Sequence, residues 1–173
     1  MKTEIKNYIK DVPDFPKAGI LFKDISPLLA DPRAFKEAVL QIKNEWSGKI
    51  DAIAALDARG FLFGGALAYD LGLPLVMLRK KGKLPGKTVE VAYDLEYGQA
   101  IIEVEIDSFA KNTRVLVIDD LLATGGTAKA ACELVEKTGA IVAGYAFIVE
   151  LSALGGRTLL KGRTIQTLVA YEE

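Results

Sequence analysis

Apolar residues recur along this chain in two alternating rhythms. Phe35, Ala38, Val39, Ile42 and Trp46 fall three or four positions apart. That spacing predicts one face of a helix opening at Asp31-Pro32 and stopping at Gly48. From residue 50 short apolar runs alternate with helical stretches. Ile50 to Leu56, Leu75 to Leu78, Arg114 to Ile118, Ile141 to Val149 and Ile165 to Val169 read as strands. Residues 60 to 71 and 126 to 137 read as helices, the second with Ala128, Ala131, Cys132 and Val135 on one face. Val89 to Leu95 and Ala100 to Ile106 alternate as an antiparallel hairpin turning at Tyr97-Gly98. Ahead of these, Lys2 to Lys10 suggests a short helix, and Val12 to Leu21 a loop punctuated by Pro13, Pro16 and Gly19. Val-, Ile- and Leu-rich strands separated by helices predict an α/β fold, a mostly parallel sheet covered on both faces. Ligands of such sheets sit beyond the carboxyl ends of the strands.

Composition narrows the chemistry. The 173 residues suit one domain, which buries roughly 70% of its extended surface. With 22 basic and 23 acidic residues the net charge is −1, against the basic excess that nucleic acid or anionic lipid requires. The single cysteine, Cys132, excludes an internal disulfide and a multi-cysteine zinc site. There is no histidine, so imidazole bases, histidine metal ligands and Ser-His-Asp chemistry are excluded. The start lacks the apolar stretch of a signal peptide, and the most apolar region, 61 to 78, is broken by Asp70 and Pro74. We expect a cytoplasmic protein with no membrane partner.

The most informative stretch is VLVIDDLLATGGT, residues 115 to 127. A buried strand ends in Asp119-Asp120, and Ala123-Thr124-Gly125-Gly126-Thr127 opens a helix. Glycines let main chain approach a ligand and expose successive N–H groups, and the helix start favours a phosphate. Two carboxylates repel phosphate but suit sugar hydroxyls, or a magnesium ion shared with them. Together they describe a ribose 5-phosphate site. A capped strand-to-helix turn is the ordinary alternative; a Walker loop would need a lysine that is absent, and a dinucleotide loop a different glycine spacing.

This string resembles the phosphoribosyl pyrophosphate (PRPP) motif of the type I phosphoribosyltransferases, and its Leu-Leu-Ala-Thr-Gly-Gly-Thr form is similar to that of the adenine-using members. FPKAGILFKDISPLL, LDARGFLFG, RKKGKLPGKTVEVAYDLEYG and VELSALGGR extend the resemblance over nearly the whole chain. It implies the type I phosphoribosyltransferase fold in a single domain, 1–173, with an N-terminal hood (about 1–35) and a flexible loop and hairpin (about 79–106). It implies transfer of phosphoribose from PRPP to adenine, giving AMP and pyrophosphate, with Mg²⁺ carried by PRPP rather than by a protein metal site, and a homodimer.

Residue by residue, the resemblance gives Asp119, Asp120 and Ala123 to Thr127 (Ala123, Thr124, Gly125, Gly126, Thr127) to the ribose phosphate. Asp57, Ala58 and Arg59, in a turn that in this family often contains a cis peptide, bind pyrophosphate together with Arg79, Lys80 and Lys83. Lys83 is a candidate to reach across the dimer. Arg79 to Lys87 would otherwise be a solvated basic loop, but Gly82, Pro85 and Gly86 suggest a lid. Glu96 handles a proton of the base, with Tyr97 closing beside it and Arg59 also near the base. Phe22 and Leu151 sandwich adenine, with Leu21 and Lys23 adjoining. Without the resemblance Phe22 is equally a core aromatic and Glu96 a solvated turn residue. Three departures stand out. Gly65 replaces the usual proline, which predicts a looser helix start. Lys23 replaces a common arginine, which weakens any bidentate contact. Gly155-Gly156 predicts a loosened final helix. The alternatives are a transferase for another purine and a PRPP-sensing regulator of the same fold.

Overall fold

In a computed structural model of the chain, residues 4–94 and 98–172 are described. Strand β3 (Ala52–Leu56) is buried at every position, and its side chains divide between two cores. Ala52, Ala54 and Leu56 face one, Ile53 and Ala55 the other. β7 (Arg114–Leu122) does the same with Val115 and Val117 against Leu116 and Ile118. Strict alternation with apolar residues on both faces is what a doubly covered strand requires.

The seven strands of the main sheet run in the order β5-β6-β4-β3-β7-β8-β9. β4 (Leu75–Lys80), β3, β7, β8 (Ile141–Leu151) and β9 (Ile165–Tyr171) are mutually parallel. β6 (Gln99–Glu105) runs antiparallel to β4, and β5 (Thr88–Asp94) antiparallel to β6, so the expected hairpin forms one edge. The expected elements from residue 31 onward are all present. α2 (Pro32–Trp46) starts on an Asp31 carboxylate that accepts from the N–H groups of Arg33 and Ala34, and Ala34, Ala38, Val39, Ile42 and Trp46 are its buried face. α2 and α3 (Gly60–Leu71) cover one face, α4 (Gly126–Lys137) the other. Fully buried Phe63 and Leu67 on α3 each contribute about 1.5–3 kcal/mol of burial.

The N-terminal region differs from expectation. Residues Ile5–Tyr8 make one 3₁₀ turn rather than a helix over Lys2 to Lys10. The supposed loop is bracketed by β1 (Lys10–Pro13) and β2 (Leu21–Asp24), an antiparallel ribbon with Val12 opposite Phe22. A one-turn helix, α1 (Ser26–Ala30), follows. At the other end the final helix is a single turn, α5 (Gly156–Leu159). No helix among the described residues is long and apolar enough to cross a membrane.

Because β3 is followed by α3 on one face and adjacent β7 by α4 on the other, the crossovers diverge between these two strands. The carboxyl ends of β3 and β7 therefore form the crevice where ligands of open α/β sheets bind.

Candidate active site

A cavity of about 370 Å³ opens at this crevice. Its lining includes Asp57, Ala58 and Arg59 after β3, Asp119 to Leu122 at the end of β7, and Ala123 to Thr127 leading into α4. Two turns far apart in sequence meet there because parallel neighbours place their carboxyl ends together.

The turn into α4 is shaped by glycine. Gly125 has φ +85°, and a Cβ on it would come 2.6 Å from the Gly156 carbonyl oxygen. Gly156 is buried against this turn, so the second glycine of Gly155-Gly156 permits close packing. Among the described residues, the main-chain N–H groups of Thr124, Gly125, Gly126 and Thr127 have no protein acceptor. Four successive unpaired donors at a helix start form an anion-binding surface.

Beside them the two aspartates are unequal. Asp120 is buried, and its Oδ2 lies 2.9 Å from Arg59 Nε. Asp119 Oδ1 accepts from the Asp120 N–H at 2.8 Å. Burial, and then the neighbouring Asp120 charge, push the Asp119 carboxyl well above the usual carboxylate range. Burial raises Asp120 too, with Arg59 opposing it. Such a pair gains from a cation or from hydroxyl donors. α3 begins against this pair: a Cβ on Gly60 would stand 2.7 Å from the Ile118 carbonyl oxygen and 3.1 Å from Asp119 Oδ1.

The Asp57–Ala58 peptide bond is cis, as the resemblance implies. Asp57 Oδ2 lies 3.2 Å from Arg79 Nε, at the end of β4, and Arg79 Nη1 donates to the Lys83 carbonyl at 3.5 Å. The structure thus links Asp57, Arg79 and Lys83. Lys80 ends β4 exposed. Phe22 on β2 approaches from the hood; the Arg59 guanidinium lies 5.4 Å from its ring centroid, and Phe15 meets it edge-on. Leu21 is exposed on the same strand, and Leu151 ends β8.

Like Leu21, Phe22, Leu151, Arg79, Lys80 and Lys83, Lys23 is not part of the cavity lining. Its ammonium lies 2.7 Å from Asp11 Oδ1 and 3.8 Å from the Tyr171 ring centroid, so its side chain stabilises the hood rather than lining the cavity. Glu96 and Tyr97 lie outside the described residues. Sequence reasoning missed Tyr93 and Phe147, both lining the cavity, and the Arg59–Asp120 pair. The alternation of β5 and the apolar run of β8 offered only core signals for the two aromatics.

A phosphoribosyl transferase domain model matches residues 25–159. The chain belongs to the phosphoribosyl transferase family. It is 51% identical to the adenine phosphoribosyltransferase of Methylococcus capsulatus, over 97% of this chain and 99% of that protein. The crystal structure of adenine phosphoribosyltransferase from Thermoanaerobacter pseudethanolicus superposes with TM-score 0.94 at 48% identity, covering 97% of this chain and 98% of that one. The Saccharomyces cerevisiae enzyme, complexed with adenine and an imino-altritol bisphosphate, gives TM-score 0.90 at 39% identity, covering 96% and 97%. Within the family, it is the adenine phosphoribosyltransferases that this chain resembles along nearly its whole length.

Proposed function

We propose that this enzyme transfers the 5-phosphoribosyl group of PRPP to adenine, releasing pyrophosphate and forming AMP, a purine-salvage reaction. The observation that carries the reading is the row of four unpaired N–H groups from Thr124 to Thr127, set directly after Asp119-Asp120 at the sheet's switch point. The amides, with Ala123 and the threonine hydroxyls, take the 5-phosphate. The aspartates hold the ribose hydroxyls. Their mutual repulsion fits a magnesium ion that arrives on PRPP, which would neutralise charge on the departing pyrophosphate.

The turn Asp57-Ala58-Arg59 and the cations Arg79, Lys80 and Lys83 receive pyrophosphate. Phe22 and Leu151 hold adenine from opposite faces, with Leu21 main chain at its edge. As adenine N9 bonds to the anomeric carbon, the bond to the pyrophosphate oxygen breaks, and Glu96 takes the proton lost by the base, with Tyr97 closing the site.

The protein acts as a homodimer in the cytoplasm. Exposed Leu62 and Tyr69 on α3, and Leu75 and Met77 on β4, supply apolar surface for a second copy. The buried free thiol of Cys132 suits a reducing compartment, which cell fractionation checks.

Purified protein with Mg²⁺, PRPP and adenine, hypoxanthine, guanine or xanthine in parallel tests the reaction. AMP from adenine is expected. No nucleotide from any base overturns the transfer, and preference for another base overturns the specificity.

A further inference from the structure

Three charged side chains among the described residues are buried: Asp120, Glu150 and Glu103. Asp120 is matched by Arg59, and Glu150 by a two-point pairing with Arg157. Glu103, on β6 and 3% exposed, has no such cation; it is held by loop donors. Its Oε1 accepts from the main-chain N–H groups of Lys83 at 2.9 Å and Leu84 at 3.0 Å, and its Oε2 from Thr88 Oγ1 at 3.3 Å. A carboxylate taken out of water is costly, and a hairpin edge needs none for its own pairing. What it does here is tie the middle of the basic loop, at Lys83 and Leu84, and the first residue of β5, Thr88, to β6.

Glu103 also stands opposite Arg79 in the β4–β6 register. Arg79 in turn touches both the Lys83 carbonyl and Asp57. The main chain of Lys83 is therefore held at its N–H by Glu103 and at its carbonyl by Arg79, and the same Arg79 reaches the turn after β3.

We propose that Glu103 is a positioning residue for phosphoribosyl transfer: it sets the basic loop so that Lys83 and Arg79 stand ready for pyrophosphate. This rests on the PRPP reading above. Glu103 touches no reacting atom and acts through the loop. Burial works against its charge, but the donors from Leu84, Lys83 and Thr88 outweigh it and keep the carboxyl below its ordinary range, so it remains an acceptor at working pH.

The test combines amide hydrogen exchange with kinetics on Glu103→Ala and Glu103→Gln. In the wild-type protein without ligand, the Lys83 and Leu84 amides should be protected. Glu103→Ala should lose that protection and raise KM for PRPP, and for pyrophosphate in the reverse reaction, by up to about a hundredfold. Its Kd for AMP, which carries no pyrophosphate, should stay within about twofold. Glu103→Gln keeps an oxygen for the two amides and should recover most of the loss.

Equal weakening of AMP and PRPP by the alanine variant would mean a merely structural role and overturn the proposal. So would an unchanged PRPP KM, or unprotected wild-type amides. If Glu103→Ala does not fold, wild-type exchange and the glutamine variant decide. A wild-type protein without turnover on adenine would instead sink the PRPP reading, while the exchange result still reports on the loop.

Discussion

At the scale of single residues, the site sets stability against function. Asp119 is kept at the cavity although burial and Asp120 both oppose its charge. A carboxyl whose folded pKa is raised contributes most to stability below its unfolded value of 3.8, and that contribution is lost as pH climbs through the raised value. Asp119→Asn removes the ionisation while retaining an oxygen for the Asp120 N–H. At pH 7 it should stabilise the ligand-free protein by on the order of 1 kcal/mol, about 3 °C in Tm. The gain should vanish near pH 4 and below, as scanning calorimetry across pH would show. Turnover should fall about a hundredfold or more. The aspartates and the glycine turn were legible in the sequence because strand, acid pair and helix start are contiguous there. The Arg59–Asp120 pair was not, since its partners are 61 positions apart and only parallel strand pairing brings them together. The contacts of Lys23 were hidden for the same reason: its partners, Asp11 and Tyr171, come from opposite ends of the chain.

Among elements, the strongly patterned ones were foreseeable and the short ones were not. α2 announces itself by an aspartate cap and five buried positions at helical spacing. β1 and β2 have four residues each; β1 ends on Pro13, and Pro16 and Gly19 lie between them, so turn signals outweigh any alternation. Glu103 sits between Ile102 and Val104 on the face that reads as solvent-facing; the loop that covers it follows no period that could reveal it. α5 is held by Arg157, whose Nε and Nη2 meet buried Glu150 at 2.6 and 2.8 Å and whose Nη2 also meets Thr167 at 3.1 Å. Arg157→Ala leaves a buried carboxylate unpaired and frees the turn that backs Gly125. We expect a loss of about 1–3 kcal/mol in urea unfolding and weaker AMP binding by titration calorimetry. Unchanged AMP affinity would show that the Gly156 contact does not support the phosphate turn.

For the whole molecule, chemistry and anchorage lie at opposite ends of the sheet. The cavity is at the carboxyl ends of β3 and β7. At their amino ends Arg114 closes on Asp51 through two side-chain bonds of 2.9 and 2.7 Å, and its main-chain N–H donates to the same carboxylate. The guanidinium and that N–H hold the Asp51 carboxyl down at about 2, so the contact persists in moderately acidic solution. The lateral surface of α3 carries Tyr69, 92% exposed, in line with Leu62. Sedimentation of the wild-type protein should give twice the 18.7 kDa chain mass. Tyr69→Asp should shift it toward monomer, and a wild-type monomer would refute the homodimer.

In the proposed reading, the bed beneath the phosphate is built from peptide groups, whereas the faces against the purine are the side chains of Phe22, from the hood, and Leu151, at the end of β8. Those two materials answer differently to mutation. On that reading, exchanging Phe22 would redirect which ring is admitted without disturbing the sugar-phosphate below, whereas among the twenty residues only proline removes a main-chain N–H. Drift in this lineage should therefore alter its choice of base long before it erodes its hold on phosphoribose.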